Sequence, residues 1–381
     1  MARPRIRAAL AVVLATIFSI GCTPADPVPT PRPSGASVTD GPLGGQPTAT
    51  TAPGTAGTTA PPPSGDVPES GTWALLEVGG PVPGAREDQT WTVGEEGSIY
   101  LFGGRDGSKV FGDVWRFDPA AGTWTRDRGQ QGVAPAPRFG HEAAWVPGLG
   151  LVVWAGQAGA TFFDDLWVYE PDGGTWRELP SGGNAPVARY GSCSGIGQDG
   201  RLWISHGFTE DGTRFADTRA YDFATGAWVD ETPAGDGPFE RCLHACWWTA
   251  DGRFALYGGQ TTGTPALGDL WFLAPGADDA ATSTWTEAPA PEPAARNLAA
   301  VARRDPLTVM FGGRGLDGEP LDDTWLFADG GPGFVPLDTG AQAPPARSAA
   351  AMVYDAAGER FLLFGGVGDD AFDDVWELTF P

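Results

Sequence analysis

Histidine is the residue of this 381-residue sequence best suited to metal binding or proton transfer at neutral pH, and it occurs only three times, as His141, His206 and His244. The three are far apart, and none belongs to a short ligand motif, so their spacing gives no evidence of a metal site. The one acid and base set that we can assemble adds Arg138 and Glu142 to His141 and His244. Because nothing in their spacing brings these four together, we assign no catalytic residue and expect neither a metal ion nor a cofactor.

Carboxylate oxygens are the ligands that calcium prefers, and several aspartates occur close together. They are Asp164 and Asp165, Asp322 and Asp323, Asp369 and Asp370, and Asp373 and Asp374. No stretch has the D-x-D-x-D-G pattern of a dedicated calcium loop. We therefore interpret these aspartates as solvated acids of turns.

One arginine and one aspartate recur together six times. The arginines are Arg86, Arg138, Arg189, Arg241, Arg296 and Arg347, and the aspartates are Asp113, Asp165, Asp217, Asp269, Asp323 and Asp374. Successive arginines are 51 to 55 residues apart. A catalytic group is not expected six times, so we predict structural ion pairs in which each charge satisfies the other.

The elements that position these residues belong to an internal repeat. Each copy has four strand-length apolar runs separated by Gly, Asp and Pro turns, as in IYLFGG at 99 to 104 and FLLFGG at 361 to 366, and none has a helical period. A closing tryptophan follows, for example Trp124 and Trp176. Four strands in a unit of about 50 residues are typical of a propeller blade, so we predict an all-β, six-bladed propeller of four-stranded antiparallel sheets.

The order of these landmarks (arginine, glycine pair, aspartate before an aromatic, tryptophan) resembles the kelch motif, and the resemblance covers residues 72 to 381. It implies a kelch-type propeller similar to the central domain of galactose oxidase. The copper oxidases of this fold need histidine and tyrosine ligands and a tyrosine linked to a cysteine. That set does not map onto this sequence.

The sixth copy, FDDVWELTF at 372 to 380, lacks its fourth strand, and only Pro381 follows it. The sequence GTWALLE at 71 to 77 matches the missing element, and Trp73 precedes Trp124 by one period. We therefore predict that the strand around Trp73 completes the last blade and closes the ring, which leaves no unpaired edge.

Three cysteines lie within the repeats. Cys242 and Cys246 are four apart in a predicted strand, which puts their Cα atoms about 13 Å apart, whereas a disulfide needs less than about 7 Å. Cys193 occupies the equivalent region of the adjacent blade. The sequence allows a disulfide between Cys193 and either Cys242 or Cys246, or three buried thiols.

The N-terminal region has the features of an exported protein. Three arginines precede an apolar run at 8 to 20, and SIGC resembles the lipobox of bacterial lipoproteins, although Ser19 stands where leucine is usual. We predict a signal peptide at 1–21, lipidation of Cys22, a disordered Pro/Thr/Gly-rich tether at 22–70 and the propeller at 71–381. The chain would then be anchored to the outer side of a bacterial cell membrane.

Charge limits the possible partners. The formal net charge is −24, and loss of 1–21 would make it −27, so the chain repels phosphate backbones. We expect no nucleic acid, membrane contact through the Cys22 lipid only, and a monomer.

The long connections, which join the second strand to the third and one blade to the next, emerge on one face, here named the long-loop face. Its candidate ligand-binding residues are Arg105, Phe139, Tyr190, Phe239 and Arg314. Arginine and aromatic side chains are good anchors in recognition. We therefore expect a binding or scaffold module for a protein or glycan at the cell envelope. The alternative is a carbohydrate-active enzyme resembling a sialic-acid epimerase or galactose oxidase, which rests on likeness of fold.

Overall fold

The computed structural model describes residues 67–127, 132–276, 282–289, 293–331 and 333–381. The predicted signal peptide and Cys22, and all of the predicted tether up to residue 66, lie outside these residues. Within them, no helix is long and apolar enough to cross a bilayer.

Six antiparallel sheets of four strands form the propeller, with an added two-residue strand, Gly182–Gly183, beside the sheet of blade 3. In blade order, the first strands are Thr90–Val93, Glu142–Val146, Cys193–Ile196, Ala245–Trp248, Ala300–Arg304 and Ala351–Asp355. The second strands are Ile99–Phe102, Gly150–Trp154, Leu202–Ser205, Phe254–Tyr257, Leu307–Phe311 and Arg360–Phe364. The third strands are Val114–Asp118, Leu166–Glu170, Thr218–Asp222, Leu270–Ala274, Thr324–Ala328 and Val375–Thr379. The fourth strands are Thr123–Asp127, Thr175–Glu178, Ala227–Asp230, Thr284–Glu287, Phe334–Pro336 and, in blade 6, Thr72–Leu75.

The first strands surround a central channel, each in contact with those of its two neighbouring blades. The second strands are almost continuously apolar and buried, as in Ile99–Phe102 and Leu307–Phe311, because neighbouring blades cover both of their faces. Aromatic and β-branched residues suit such strands. The core therefore lies mainly between the blades.

The N-terminal strand completes blade 6, which confirms the predicted closure. Trp73 pairs with Leu378, and Leu75 pairs with Trp376. The Trp73 side chain is fully buried, and its Nε1 donates a hydrogen bond of 3.0 Å to Oγ1 of Thr324 in blade 5. The strand is thus held by its own sheet and by the adjacent blade.

A closed cycle of backbone hydrogen bonds encircles the channel where the first strands begin. The residue two positions after each repeated arginine donates its N–H to the carbonyl oxygen of the equivalent residue in the preceding blade, at 2.7 to 3.4 Å. The six residues are Asp88, Gly140, Gly191, Leu243, Leu298 and Ala349, and all have φ between 53° and 66°. This left-handed conformation is unfavourable for the four that are not glycine. The hydrogen bonds of the cycle compensate for that cost.

A second cycle lies beside the first and has the opposite direction. The two residues that follow each second strand are called the glycine-pair position, although blade 2 has Ala155-Gly156 there and blade 3 has His206-Gly207. The second residue of this position donates its N–H to the carbonyl oxygen of the repeated arginine in the following blade, as Gly104 does to Arg138 and Gly366 does to Arg86, both at 2.9 Å. A Cβ at Gly104 would lie 2.8 to 2.9 Å from Gln89 and Glu87 atoms, and its φ is 93°. Glycine recurs there because both the close approach and the backbone angle require it.

Candidate functional site

The channel mouth on the long-loop face is built from two segments of each blade. The residue after each repeated arginine pairs through its backbone with the residue after each glycine pair, as in Glu87 with Arg105 and Asn297 with Arg314. These bridges place the side chains of different blades around one opening. We use "channel mouth" for these twelve residues: Glu87, Arg105, Phe139, Gln157, Tyr190, Phe208, Cys242, Gln260, Asn297, Arg314, Ser348 and Val367.

Arg105 is the central cation of this mouth. Its guanidinium lies 4.4 Å from the centre of the Phe139 ring, 3.1 Å from a Glu87 carboxylate oxygen and 3.2 Å from an Asp88 carboxylate oxygen. The side chain is 33% exposed. Arg105 therefore connects blades 1 and 2 and still presents part of its charge to solvent.

Tyr190 fixes the position of Asp88 from the opposite side. Its hydroxyl donates a hydrogen bond of 3.0 Å to Asp88 Oδ2, and both side chains are buried. The ring passes directly over Gly140, where a Cβ would lie 1.7 Å from Tyr190 Cε2. Glycine at 140 thus makes room for Tyr190, and the aromatic ring joins blade 3 to blade 1.

Arg314 adds a second cation from blade 5, and its Nη2 donates to Ser348 Oγ at 3.3 Å. Burial raises the pKa of Glu87 to about 7, and the negative charge of Asp88 acts in the same direction, while Arg105 and Arg314 oppose both. Burial also raises the pKa of Asp88, against the effects of Arg105, the Tyr190 hydroxyl and Arg314. The channel mouth and the adjoining Asp88 therefore combine two guanidinium groups with two carboxyl groups whose pKa values are raised by burial.

Three of the five predicted ligand-binding residues, Arg105, Phe139 and Tyr190, form one cluster, and Arg314 lies on its far side. Phe139 and Tyr190 are buried, so they support the cluster and leave Arg105 as its exposed member. Phe239 stands elsewhere, on the connection that enters blade 4, with its side chain 69% exposed. Sequence reasoning missed Glu87 and Asp88, although they adjoin the repeated Arg86.

Large apolar side chains are exposed mainly on the long-loop face. Of the seven such residues in the described part of the chain, five belong to its connections, namely Val82, Val133, Val187, Phe239 and Leu316. The other two, Leu75 and Val229, lie on fourth strands at the outside of the propeller. The long-loop face thus combines a charged centre with apolar side chains around it.

All six repeated arginines pair with their aspartates, at 2.6 Å in five blades and 2.9 Å for Arg86 with Asp113. Each guanidinium also donates to the carbonyl oxygen at the first glycine-pair position, as Arg138 does to Ala155. In five blades the aspartate accepts a further bond from the indole N–H of the tryptophan two residues later, and Arg219 takes that place in blade 3. These pairs hold the loops that shape the mouth.

The histidines lie between blades and are neutral. Burial lowers the pKa of His141 and of His206 to about 3, and lowers the pKa of His244 well below its ordinary value. The His206 and His244 rings are 5.3 Å apart, whereas His141 packs against Phe102 and meets the Thr90 hydroxyl at 2.8 Å. No cluster of three or more His, Cys, Asp or Glu side chains suited to a metal ion occurs among the described residues. Of the acid and base set considered from the sequence, His141, Glu142 and His244 line one cavity of the channel, whereas Arg138 is paired with Asp165.

The cysteines join two blades. Sγ of Cys193, in the first strand of blade 3, is bonded to Sγ of Cys246, in the first strand of blade 4. Cys242 lies outside this disulfide and is buried, with Sγ 3.9 Å from the Gln260 carbonyl oxygen. The bridge therefore fastens neighbouring inner strands beside the channel.

Comparison with known proteins gives one family. The model of the KLHDC2/KLHL20/DRC7 Kelch-repeats domain matches residues 67–252 and 150–331. An F-box/kelch-repeat protein of Arabidopsis thaliana is 26% identical over 281 residues, 64% of this chain and 55% of that protein. The Rab9 effector protein with kelch motifs of Xenopus laevis is 30% identical over 219 residues, 55% of this chain and 58% of that protein. Acyl-CoA-binding domain-containing protein 4 of Arabidopsis thaliana is 30% identical over 164 residues, 42% of this chain and 24% of that protein. The matches thus span less than two thirds of the length of each of these relatives.

Proposed function

The chain belongs to the kelch-repeat family, whose propellers typically serve as protein-interaction scaffolds, and we propose that it binds a protein partner through the long-loop face while lipidated Cys22 anchors it outside a cell membrane. The first part of this proposal follows from the surface of the propeller. The second follows from the SIGC sequence and the Pro/Thr/Gly-rich segment 22–70.

The observation that carries the binding proposal is the distribution of exposed apolar side chains. Phe239 and Leu316, at 69% and 61% exposure, are the kind of residues that a partner covers on binding. They share the long-loop face with the partly exposed Arg105. Arginine and aromatic residues are enriched at interfaces, and affinity concentrates in a few such anchors.

The overall charge favours a basic partner. At a formal charge of −24, the chain attracts a positively charged surface over several ångströms and speeds the encounter. Arg105 and Arg314 then offer two local sites for acidic groups of that partner, so orientation is specified as well. A partner with a mainly basic surface, and with acidic groups opposite Arg105 and Arg314, fits this arrangement best.

The relatives support a protein partner. One of them is an effector of Rab9 by its printed name, and it is similar to this chain over 55% of the chain. The similarity covers kelch repeats, which generally bind proteins.

Two exposed valines provide a matched test of the face. Val187, 55% exposed, lies on the long-loop face, and Val229, 40% exposed, lies on the fourth strand of blade 3. We expect Val187→Asp, combined with Phe239→Asp, to abolish recovery of the partner that the wild-type full chain crosslinks on intact cells, and Val229→Asp to leave recovery unchanged. Equal recovery by all three proteins, or loss with Val229→Asp alone, would contradict the proposed face.

Anchoring is tested separately by metabolic labelling with a radioactive fatty acid in a bacterial host. We expect label on the wild-type chain and none on Cys22→Ser, with Cys242→Ser retaining the label as a cysteine control. Unlabelled wild-type protein would refute the lipid anchor without affecting the binding proposal.

A further inference from the structure

The channel contains a cavity of about 310 Å³ where the first strands begin. It is bounded by those strands and by the residues of the first hydrogen-bond cycle. This volume lies at the lower end of the range for small-molecule sites. The cavity shares Tyr190 with the channel mouth, but the exposed apolar residues considered above, such as Phe239 and Leu316, do not line it.

The two halves of the cavity wall differ in chemistry. Blades 1 to 3 contribute polar side chains, namely Asp88, Gln89, Thr90, Glu142, Ser192 and Ser194. Blades 4 to 6 contribute mainly apolar ones, namely Leu243, Ala245, Leu298, Val301, Ala349 and Ala350. A ligand that uses the whole cavity must therefore have one polar and one apolar end.

The polar half is rich in hydrogen-bond acceptors, and the only basic side chains among the described residues that line the cavity are His141 and His244. Among the described residues that line the cavity there are two carboxyl groups and no lysine or arginine. Asp88 is already engaged by Tyr190 and Arg105. Glu142 accepts one bond, of 3.0 Å, from the Ser194 hydroxyl. The Gln89 side chain is buried, and its Oε1 has no hydrogen-bond partner among the described residues.

We propose that this cavity binds a small amphipathic amine, whose ammonium group pairs with Glu142 and whose apolar part lies against Leu243, Leu298 and Val301. An ammonium group supplies three hydrogen-bond donors and a positive charge. The polar wall offers hydrogen-bond acceptors that such a group can satisfy. A partly buried carboxylate and a bound cation each offset part of the desolvation cost of the other.

Protonation of the empty site agrees with this assignment. Burial raises the pKa of Glu142 to about 8, against the effect of the Ser194 hydroxyl. Below that pH the empty site is neutral, and an ammonium ion must displace a proton to form the pair. Alkylamines, like the lysine side chain, have a pKa of about 10.4 and are protonated at pH 8. The affinity for the amine should therefore rise with pH up to about 8 and then level off.

The other titratable groups around the cavity do not give this pH dependence. Burial keeps His141 and His244 neutral by lowering the pKa of each far below 6.5, and it raises the pKa of Tyr190 well above its ordinary value. Asp88 faces the cavity from the mouth and is fixed by Arg105. An ammonium ion that paired with Asp88 would be insensitive to substitution of Glu142.

Isothermal titration of the full chain with cyclohexylammonium chloride, and with cyclohexanol as its uncharged counterpart, tests the proposal. At pH 8.5 we expect the amine to bind at least about tenfold more tightly than the alcohol, a difference of 1.4 kcal/mol. Between pH 8.5 and 6.5 the amine affinity should fall about 25-fold, with nearly one proton released at the lower pH in paired buffers of different ionisation enthalpy. The alcohol affinity should not change.

Variants assign the effect to Glu142. Glu142→Gln resembles the protonated side chain and should bind amine and alcohol equally, and Glu142→Asp should recover the preference for amine. Glu178→Gln, on the exposed fourth strand of blade 2, should match the wild type. A cooperative melt of each variant verifies folding. Equal binding of amine and alcohol by the wild type, absence of binding at millimolar concentration, or an amine preference that survives Glu142→Gln in a folded protein would overturn the proposal.

Discussion

Replacement of Trp73 by alanine tests whether the N-terminal strand is an integral part of blade 6. The Trp73 side chain is completely buried in a cluster that contains Leu378 of its own blade and Phe311 of blade 5. Its ring centre lies 5.3 Å from that of Phe311, in an edge-to-face arrangement. The substitution would therefore open a cavity between two blades.

The expected loss is large. Truncation of a buried tryptophan to alanine costs about 3 to 5 kcal/mol, through lost apolar contact and the cavity that remains. The hydrogen bond from Trp73 Nε1 to Thr324 is lost as well, which contributes about 1 kcal/mol because Thr324 is buried. We expect Trp73→Ala to lower the free energy of unfolding by about 4 to 6 kcal/mol, and Trp73→Phe by about 1 to 2 kcal/mol.

Urea denaturation of the full chain, followed by far-ultraviolet circular dichroism, measures the effect. With a slope of about 3 kcal/mol per molar urea, a loss of 4 kcal/mol moves the midpoint by roughly 1.3 M. Trp124→Ala, at the equivalent position of blade 1, should lose a similar amount, and Leu75→Ala, on the same strand but half exposed, less than about 1 kcal/mol. A Trp73→Ala midpoint close to that of Leu75→Ala, with Trp124→Ala strongly shifted, would refute the reasoning.

Three further predictions concern single groups. Burial raises the pKa of Glu142 from 4.5 to about 8, so the folded state binds that proton more tightly than the unfolded chain does. The folded state therefore loses stability as the pH rises between these values. In calorimetry, Glu142→Gln should melt like the wild type at pH 4 and be more stable than the wild type by a few kcal/mol at pH 9. Asp165→Asn leaves the fully buried Arg138 without a counter-ion and should cost about 3 to 5 kcal/mol of stability in the same urea assay. Substitution of the exposed Asp164 by asparagine should cost less than about 0.5 kcal/mol. Equal losses from the two substitutions would contradict a structural ion pair. Peptide mapping without reduction should recover Cys193 linked to Cys246. Because the bridge closes a separation of 53 residues, its removal by substitution of both cysteines with alanine should cost about 4 kcal/mol of stability. A double variant as stable as the wild type would contradict this prediction.

The fold is predictable from this sequence because the residues that define it repeat. Each arginine and aspartate pair is one ion pair of one blade, and each occurs in the same order and at nearly the same spacing. The match of Trp73 to Trp124 likewise reveals the closure, because five of the six outer strands carry one buried tryptophan or phenylalanine, and the outer strand of blade 4 carries the partly buried Trp285. These are local signals, in which one residue type reports one recurring environment.

The mouth and the channel are less predictable, because their contacts join different blades and depend on residues that vary. Arg105 and Tyr190 were identifiable by type, but their common partner Asp88 was not, since the equivalent positions hold glycine, leucine and alanine. The first hydrogen-bond cycle uses backbone groups alone and leaves almost no trace in side-chain chemistry. Gly140 and Gly191 were the only signal, and they indicate a left-handed backbone without indicating what it binds.

The two opposed hydrogen-bond cycles have a consequence for how this fold can change in evolution. Each blade donates a backbone hydrogen bond to one neighbour in the first cycle and to the other neighbour in the second. Every blade therefore makes the same two kinds of hydrogen bond, and none is terminal. An added or deleted blade would alter the angle between neighbouring blades at every junction at once. The donors and acceptors of the first cycle, which are 2.7 to 3.4 Å apart, would then all have to be realigned together. The number of blades is therefore a collective property of the backbone. Individual blades can diverge freely in sequence, as blade 3 has at Arg219 and blade 5 at Phe334, provided that their count is preserved.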